Sequence, residues 1–249
     1  MSFNRGKTIE RGKTIGLLGG MSWQSTAEYY RILNELTAER LGGLHSARCV
    51  IHSVDFAEIE TLQSEGRWDE AGALLGEAAR SLEAAGADFV VLCTNTMHKV
   101  ADDIQQAIGV PLLHLGDTTA EAVKRRGIAT VGLLGTRFTM SEEFYRGRMA
   151  AHGLRVLVPD ADGRRIVNDV IYDELCLGIV RPESRVAYRQ VIQRLIDAGA
   201  EGIVYGCTEI ELLVDQSDSS VPVFPTTRLH CEAAVATALA GSGVFGDWP

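Results

Sequence analysis

Short apolar segments alternate with longer amphipathic stretches along most of the chain. The apolar segments are seven or eight residues long, rich in Val, Ile and Leu, and bounded by turn-forming residues, which is typical of strands buried on both faces of a parallel sheet. They are TIGLLGG (14–20), CVIHSVDF (49–56), DFVVLCT (88–94), VPLLHLGD (110–117), ATVGLLGT (129–136), LRVLVPD (154–160), GIVYGCTE (202–209) and VPVFPTT (221–227). This alternation predicts an α/β fold in which helices cover mainly parallel sheets on both faces.

The stretches between these segments carry apolar residues at helical spacing, and several end at a glycine. The clearest predicted helices are STAEYYRILNELTAERLG (25–42), WDEAGALLGEAARSLEAAGA (68–87), EEFYRGRMAAHG (142–153), AYRQVIQRLIDAGA (187–200) and RLHCEAAVATALA (228–240). Strand and helix therefore follow one another in the order expected of repeated βα units.

Landmarks in the first half of the chain recur in the second half in the same order. GLLGG at residue 16 matches GLLGT at 132, Cys93 matches Cys207, and VPLLH at 110 matches VPVFP at 221, with offsets of 116, 114 and 111 residues. The recurrence predicts two pseudo-symmetric lobes, each with a four-stranded, mainly parallel sheet, and an active site in the cleft between them. The predicted first lobe is 13–112 with the final helix, 228–241; the second is 113–227; and 1–12 is predicted to be disordered.

Both matched cysteines stand where a predicted strand ends, which is where parallel sheets bind ligands. A lone cysteine is more often a small buried hydrophobic residue than a reactive one. The three cysteines predicted to pack in this way are Cys49, Cys176 and Cys231. Cys93 and Cys207 differ because cap-forming residues follow each of them, and Thr208 and Glu211 have the spacing of a capping box. A sulfur beside such a helix N-terminus is expected to favour the thiolate.

Two similar groups on opposite sides of one carbon suit a particular reaction. To invert a stereocentre that bears an acidic hydrogen, one group removes the proton from one face while its partner donates a proton to the other face. The roles exchange when the reaction starts from the opposite enantiomer. Cys93 and Cys207 would satisfy this requirement if the two lobes face each other.

Composition and charge narrow the class of partner. The chain has 249 residues, a formal net charge of −9 at pH 7, and no apolar run near the roughly 18 residues of a membrane-spanning helix. Neither nucleic acid nor membrane is therefore an expected partner, whereas a small molecule is. The first residues, MSFNRGKTIERGKTIG, lack the apolar core of a secretory signal, which predicts a cytoplasmic location.

The sequence predicts neither a metal site nor a cofactor. Its six histidines are scattered and no cysteines are paired as CxxC, so the usual ligand spacings are missing. A pyridoxal-phosphate enzyme needs a lysine for its Schiff base. The four lysines, none of which has a suitable context, are Lys7, Lys13, Lys99 and Lys124.

Several motifs together resemble one enzyme family. They are GLLGGMSWQST, GLHSARCVIHSVDFAEIE, VLCTNTMHKVADDI, LLGTRFTM, YDELCLG and YGCTEIELLV. They are similar to the aspartate/glutamate racemase family, and more narrowly to its broad-specificity amino-acid racemase branch, from Lys13 to about Leu239. The resemblance implies cofactor-independent racemisation of an amino acid, with one cysteine as thiolate and the other as thiol, and a homo-oligomer, expected to be a dimer.

The resemblance also implies roles for particular residues. Cys93 and Cys207 resemble the catalytic pair, and the substrate-binding residues by the same correspondence are Met21, Gln63, Thr94, Asn95, Thr96, Thr208 and Glu209. The segment 94–96 is expected to grip the substrate carboxylate, and Met21 to line the facing wall. Gln63 is expected to contact substrate, with a solvent-facing helix position as the alternative. Glu209 is expected to contact substrate or to orient Cys207. The alternative is that it is only a favourable negative charge in the first turn of a helix.

Other polar residues near these motifs leave their roles open. Ser22 and Thr136 close the two GLLG turns, where they cap a helix or contact ligand. His98 is expected to be a packed or solvated histidine rather than a catalytic one. Some family members carry a basic residue ahead of the YDELCLG motif that binds a side-chain carboxylate. Here Arg164 and Arg165 precede it without a lysine, which leaves recognition of aspartate or glutamate open.

Two other classes of function fit the same sequence. Related enzymes of this fold racemise hydantoins, isomerise maleate or decarboxylate malonates, and the decarboxylases use a single cysteine. The presence of both Cys93 and Cys207 argues for the racemase. The other class is a non-catalytic amino-acid binding protein with a two-lobed cleft, which would show no proton exchange at the α-carbon.

Overall fold

The computed structural model describes residues 12–240, which form eight strands and ten α-helices. The strands are β1 (Ile15–Gly19), β2 (Cys49–Ser53), β3 (Phe89–Leu92), β4 (Leu112–Leu113), β5 (Thr130–Gly135), β6 (Arg155–Leu157), β7 (Gly202–Gly206) and β8 (Val223–Pro225). The helices are α1 (Trp23–Leu41), α2 (Phe56–Ser64), α3 (Trp68–Ala84), α4 (Ala101–Ala107), α5 (Leu115–Arg125), α6 (Arg137–Ser141), α7 (Glu143–Ala151), α8 (Ala161–Asp173), α9 (Pro182–Asp197) and α10 (Thr226–Leu239). Every strand lies within a segment that the sequence pattern predicts to be a strand.

The strands form two four-stranded sheets, ordered β2-β1-β3-β4 and β6-β5-β7-β8, and every pair within them is parallel. The predicted α/β fold with two equivalent sheets is therefore confirmed. Because parallel neighbours need a crossover between them, the helices are carried onto the two faces of each sheet.

Each sheet is buried on both faces, and alternate residues of a strand serve opposite faces. In β3, Val90 and Leu92 pack towards α3, whereas Phe89 and Val91 pack towards α1 and α10. In the second sheet, α8 and α9 supply one apolar layer and α5 and α7 the other. The near-continuous apolar strands of the sequence follow directly from this two-sided burial.

The GLLGG turn at the end of β1 depends on glycine at its last position. Gly20 has a φ of 97°, and a Cβ there would lie 2.2 Å from the carbonyl oxygen of Val54. Only glycine fits both the backbone angle and the space. The turn leads into Ser22, whose hydroxyl caps α1 by accepting the backbone N–H of Ser25 at 3.3 Å.

Helix α10 follows β8 of the second sheet directly, yet its buried face belongs to the apolar layer of the first sheet. Cys231, Ala234 and Val235 pack there beside Tyr29 and Leu33 of α1. The chain thus crosses between the sheets twice, at Leu113–Leu115 and at Pro225–Thr226. The exact division into lobes at residue 112 stays a prediction.

The described residues leave out the two ends of the chain. Of the predicted disordered start, 1–12, all but Gly12 lies outside the described residues, as does residue 241 at the predicted end of the last helix. Within 12–240, no helix is long and apolar enough to span a membrane.

We expect Leu33→Ala to lower the free energy of unfolding by about 2 to 5 kcal/mol, because it leaves a cavity between α1, α10 and β1. Leu33 is fully buried in that layer. Urea denaturation followed by circular dichroism measures the change. Leu44→Ala is the matched control, since Leu44 is fully exposed and should change stability by no more than about 0.5 kcal/mol. Equal losses in the two variants would contradict this account of the core.

Candidate active site

One cavity opens between the carboxyl ends of the two sheets. It holds about 480 Å³ of space between atoms, part of it open to solvent. Both sheets contribute to it through the loops that follow their strands, as parallel α/β folds require of a ligand site. Its lining residues are Met21, Ser22, Ser25, Phe56, Gln63, Thr94, Asn95, Thr96, Thr136, Ile171, Tyr172, Cys176, Gly206, Cys207, Thr208 and Glu209.

The wall from the first sheet is the segment that follows β3. Thr94 lines the cavity, and its hydroxyl has no hydrogen-bond partner within residues 12–240. Asn95 and Thr96 lead into a 3₁₀ helix, Thr96–Val100, and their backbone N–H groups have no acceptor in the described part of the chain. Two amide hydrogens and one free hydroxyl are therefore available at this wall.

The side chains of Asn95 and Thr96 form hydrogen bonds with residues of the second lobe. The Asn95 amide nitrogen donates to Thr226 Oγ1 at 3.1 Å, and the Thr226 hydroxyl donates to the carbonyl of Tyr205 at 2.8 Å. Thr96 Oγ1 lies 3.2 Å from Thr136 Oγ1. These bonds fix the segment against the other sheet, so its backbone is the part left to bind an anion.

The opposite wall is the segment that follows β7, and a carboxylate organises it. Cys207 Sγ donates to Glu209 Oε2 at 2.9 Å, and Thr208 Oγ1 donates to the same oxygen at 2.6 Å. The other oxygen, Oε1, accepts from Ser25 Oγ at 3.1 Å and from Ser22 Oγ at 3.4 Å. Glu209 therefore holds the Cys207 thiol in place and links it to the start of α1.

The surroundings of Cys207 favour the thiol over the thiolate. Burial raises the pKa of Cys207 well above its ordinary value, the neighbouring Glu209 carboxylate raises it further, and the Glu209 backbone N–H lowers it in part. The expected capping box is wrong, because Cys207 itself occupies the N-cap position of the 3₁₀ helix Thr208–Leu212 and makes no side-chain cap bond. A helix of five residues adds little dipole to offset the burial.

Cys93 lies outside the cavity. It continues the alternation of β3, so its side chain points with Phe89 and Val91 into the apolar layer below α1 and α10, where it is fully buried. The one hydrogen bond that its thiol makes within residues 12–240 is a long one, 3.7 Å, to the carbonyl of Val91, and burial raises the pKa of Cys93. The structure thus brings Cys207 and Thr94 to the cavity but not Cys93, whose catalytic role stays a prediction.

The remaining predicted substrate contacts all line the cavity. Met21 and Gln63 are 5% and 7% exposed, so the solvent-facing alternative for Gln63 is wrong. The Gln63 amide nitrogen donates to Met97 Sδ at 2.8 Å. Ser22 and Thr136 combine the two roles that the sequence left open, since each caps a helix and also faces the cavity.

Six lining residues were not among those predicted from the sequence. They are Ser25, Phe56, Ile171, Tyr172, Cys176 and Gly206. All but Ile171 belong to the motifs quoted for the family resemblance, which was the available signal. Cys176, predicted to pack, lies on the same lobe as Cys207, and burial raises the pKa of Cys176 and of Tyr172 to about 12 in each case.

The two arginines ahead of YDELCLG do not reach the cavity. Arg164 donates to the carbonyl of Pro159 at 3.0 Å. Arg165 is largely exposed and lies 3.7 Å from Asp162 and 3.9 Å from Asp169. Neither arginine is placed to receive a substrate carboxylate.

His98 is buried behind the Thr94 segment and uses both ring nitrogens. Its Nε2 accepts the backbone N–H of Leu115 at 3.1 Å, so the proton is on Nδ1, which donates to the carbonyl of Thr94 at 2.8 Å. Burial holds the pKa of His98 well below its ordinary value. The ring is thus a neutral connector between the Thr94 segment and α5, in agreement with the expectation of a packed histidine.

Two further histidines surround His98. Ring centroids lie 4.7 Å apart for His98 and His114 and 5.9 Å apart for His98 and His230. His230 joins Tyr29 Oη at 3.0 Å to the carbonyl of Leu113 at 2.8 Å. Burial lowers the pKa of His114 to about 4 and that of His230 to about 3.

Comparison with known proteins adds an independent line of observation. The sequence model of the Asp/Glu/hydantoin racemase family matches residues 18–234. The broad specificity amino-acid racemase RacX of Bacillus subtilis (strain 168) is 28% identical over 175 residues, which are 69% of this chain and 74% of that protein.

Solved structures match over almost their whole length. A candidate Asp/Glu racemase from Yersinia pestis is 56% identical, with a TM-score of 0.88 over 91% of this chain and 99% of that one. An aspartate racemase homologue from Pyrococcus horikoshii OT3 is 33% identical, with a TM-score of 0.81 and the same coverage of 91% and 99%.

We expect stability to fall as the pH drops from about 6.5 to about 4. Histidines whose folded pKa lies below the unfolded value near 6.5 bind protons only in the unfolded chain over this window, so protonation favours unfolding. His114 alone, with a folded pKa of about 4, should cost on the order of 3 kcal/mol by pH 4. Urea denaturation at pH 7.5 and pH 4.5 measures the loss.

The control for this prediction replaces single histidines. His114→Asn keeps a side chain able to cap α5, which the His114 ring now does by accepting the Gly116 N–H at 3.0 Å, and should flatten the pH dependence. His45→Asn, in an exposed loop, should leave it as in the wild type. A pH dependence that is the same in all three proteins would show that His114 does not contribute.

Proposed function

Because this chain is a member of the Asp/Glu/hydantoin racemase family and a racemase that works without pyridoxal phosphate, we propose that it interconverts the L- and D-forms of an amino acid in the cavity between its sheets. Cys207 acts on one face of the α-carbon and Thr94 on the other. The observation that carries this assignment is the placement of these two side chains, which line one cavity from the ends of the equivalent strands β7 and β3.

The cavity has groups for both charges of an amino-acid zwitterion. The unpaired N–H groups of Asn95 and Thr96 suit the α-carboxylate, where they also stabilise charge that delocalises into it during proton removal. The Glu209 carboxylate suits the α-ammonium group. Bound there, the ammonium would place a positive charge beside Cys207 and lower the pKa of its thiol.

Cys207 removes the α-proton after passing its own proton to Glu209. The S–H already points at Glu209 Oε2, so the transfer needs no rearrangement of the site. The thiolate then takes the α-hydrogen from its face, and the electron pair of the broken C–H bond moves into the carboxylate. Cys207 ends this step as a thiol and Glu209 as a neutral acid.

Thr94 donates the proton on the opposite face. A hydroxyl is a weaker acid than a thiol but a much stronger one than the α-C–H bond it regenerates, so this direction of transfer is favourable. Thr94 regains a proton from water, and Glu209 releases one to water, which returns the site to its starting state. Racemisation from the other enantiomer needs Thr94 as base, so we expect the two directions to differ in rate and in KM.

The runner-up is single-thiol chemistry on the same fold, such as decarboxylation of a malonate. The presence of two cysteines no longer argues against it, because Cys93 lies outside the cavity. The Glu209 carboxylate favours an amino acid, because it suits an α-ammonium group, which a malonate lacks. Release of carbon dioxide from a panel of substituted malonates would support the runner-up instead.

We expect Thr94→Val to separate proton exchange from inversion. Without the hydroxyl, Cys207 can still remove a proton and return a solvent deuteron to the same face. In deuterated water, one enantiomer should therefore exchange its α-hydrogen with retention while the D/L ratio changes at least about a hundredfold more slowly than in the wild type. Proton NMR and chiral chromatography on an L- and D-amino-acid panel measure the two rates.

Cysteine variants complete this experiment. Cys207→Ala should lose inversion and the exchange of the enantiomer whose α-hydrogen faces Cys207, whereas Cys93→Ala should keep both activities, apart from any loss of stability from the small cavity. Inversion lost in Cys93→Ala but kept in Thr94→Val would restore the two-thiol mechanism. No exchange and no inversion with any amino acid would contradict the proposed function as a whole.

A further inference from the structure

The charges around the cavity bear on which amino acid it takes. No lysine, arginine or histidine occurs among the described residues that line it, and its one carboxylate is Glu209. That carboxylate already accepts hydrogen bonds from Ser22, Ser25, Thr208 and Cys207. The residues that line the cavity therefore offer no positive charge to the side chain of a bound amino acid.

An acidic substrate would bring a second carboxylate with nothing to balance it. The free N–H groups of Asn95 and Thr96 serve the α-carboxylate, and Glu209 serves the α-ammonium group. A carboxylate taken out of water without a cationic partner is strongly disfavoured. Glu209 would add repulsion between like charges.

A groove next to the cavity continues the same charge pattern. It shares Gln63 and Tyr172 with the cavity, so a longer substrate side chain that passes this wall enters it. Its lining residues with a charged side chain are Glu60, Asp169, Asp173 and Arg137. Carboxylates thus outnumber cations in the groove as well.

One cation lines the groove, Arg137. Its guanidinium stacks 4.8 Å from the ring centroid of Phe138 and forms no ion pair among residues 12–240. Lys99, which is not part of the lining, pairs with Glu142 at 2.6 Å and lies over the ring of Trp68 at 3.8 Å. Arg137 is therefore a single positive charge in a groove lined by three carboxylates.

The wall between cavity and groove offers a side-chain amide. Gln63 is 7% exposed, its amide nitrogen donates one hydrogen to Met97 Sδ, and its carbonyl oxygen has no partner among residues 12–240. The carbonyl oxygen accepts a hydrogen bond, and the second N–H of the amide donates one. A substrate side chain that ends in an amide or hydroxyl group can use both.

We infer that this racemase selects amino acids whose side chains carry no carboxylate, and that it discriminates against aspartate and glutamate. The inference rests on the proposed function, because it concerns the substrate of that same site. Asp169 and the neighbouring carboxylates of the groove set the preference at the far end of the side chain, and the lack of a cation among the residues that line the cavity sets it near the α-carbon.

Matched pairs of substrates test the inference. L-glutamine and L-glutamate have nearly the same shape and differ in charge, as do L-asparagine and L-aspartate. We expect kcat/KM for α-hydrogen exchange in deuterated water to be at least about thirtyfold higher for each amide than for its acid. Acids exchanged as fast as their amides, or faster, would overturn the inference while leaving the racemase proposal intact. Exchange with no amino acid at all would instead defeat the proposed function.

A charge-reversal variant tests the groove itself. Asp169→Lys places an ammonium group beside Gln63 and should raise the glutamate-to-glutamine ratio of kcat/KM by about tenfold. Asp162→Lys is the matched control on the same helix, since its side chain is 86% exposed and lines neither the cavity nor the groove. Its ratio should equal that of the wild type. The same ratio in Asp169→Lys as in the control, with folding confirmed by circular dichroism, would overturn the role of the groove.

Discussion

The hydrogen bonds to Glu209 are the interaction on which the rest of the site depends. One carboxylate oxygen holds the Cys207 thiol and the Thr208 hydroxyl, and the other reaches Ser22 and Ser25 at the start of α1. The reactive sulfur is thereby oriented by the same group that ties the second lobe to the first. A change at Glu209 therefore affects both the orientation of Cys207 and the contacts between the two walls of the cavity.

The overall fold could be predicted because both of its signals are local or repetitive. Strands buried on two faces are apolar throughout, and their eight segments stand out between helices of a different period. The recurrence of GLLG, of the cysteine segments and of the VP segments then indicates two equivalent sheets. Cap residues such as Ser22 and Thr136 were identifiable by type, although their second role in lining the cavity depends on how the lobes meet.

The site was predicted less completely, for two physical reasons. Cys93 and Thr94 are neighbours at the bend that follows β3, where the Thr94 N–H donates to the carbonyl of Leu92. Cys93 packs into the apolar layer and Thr94 lines the cavity, so a one-residue difference decides which of them faces the cavity. Cys93 and Cys207 occupy matching positions in the sequence repeat, but their side chains differ in orientation. An alignment of the two halves of the sequence does not show this difference. Phe56, Tyr172 and Cys176 reach the cavity from helices or turns beyond the strand ends, so their positions depend on tertiary packing.

The double crossing of the chain places both connections between the sheets side by side. His230 of α10 hydrogen-bonds the carbonyl of Leu113 at 2.8 Å, and Asn95 and Thr226 are bonded close by. Widening the cleft about this line would break the contacts of Ser25 with Thr208 and Glu209. It would also break the contact of Thr96 with Thr136 and the ion pair of Lys99 with Glu142. The resistance of the cleft to opening is therefore spread over several polar contacts at its rim.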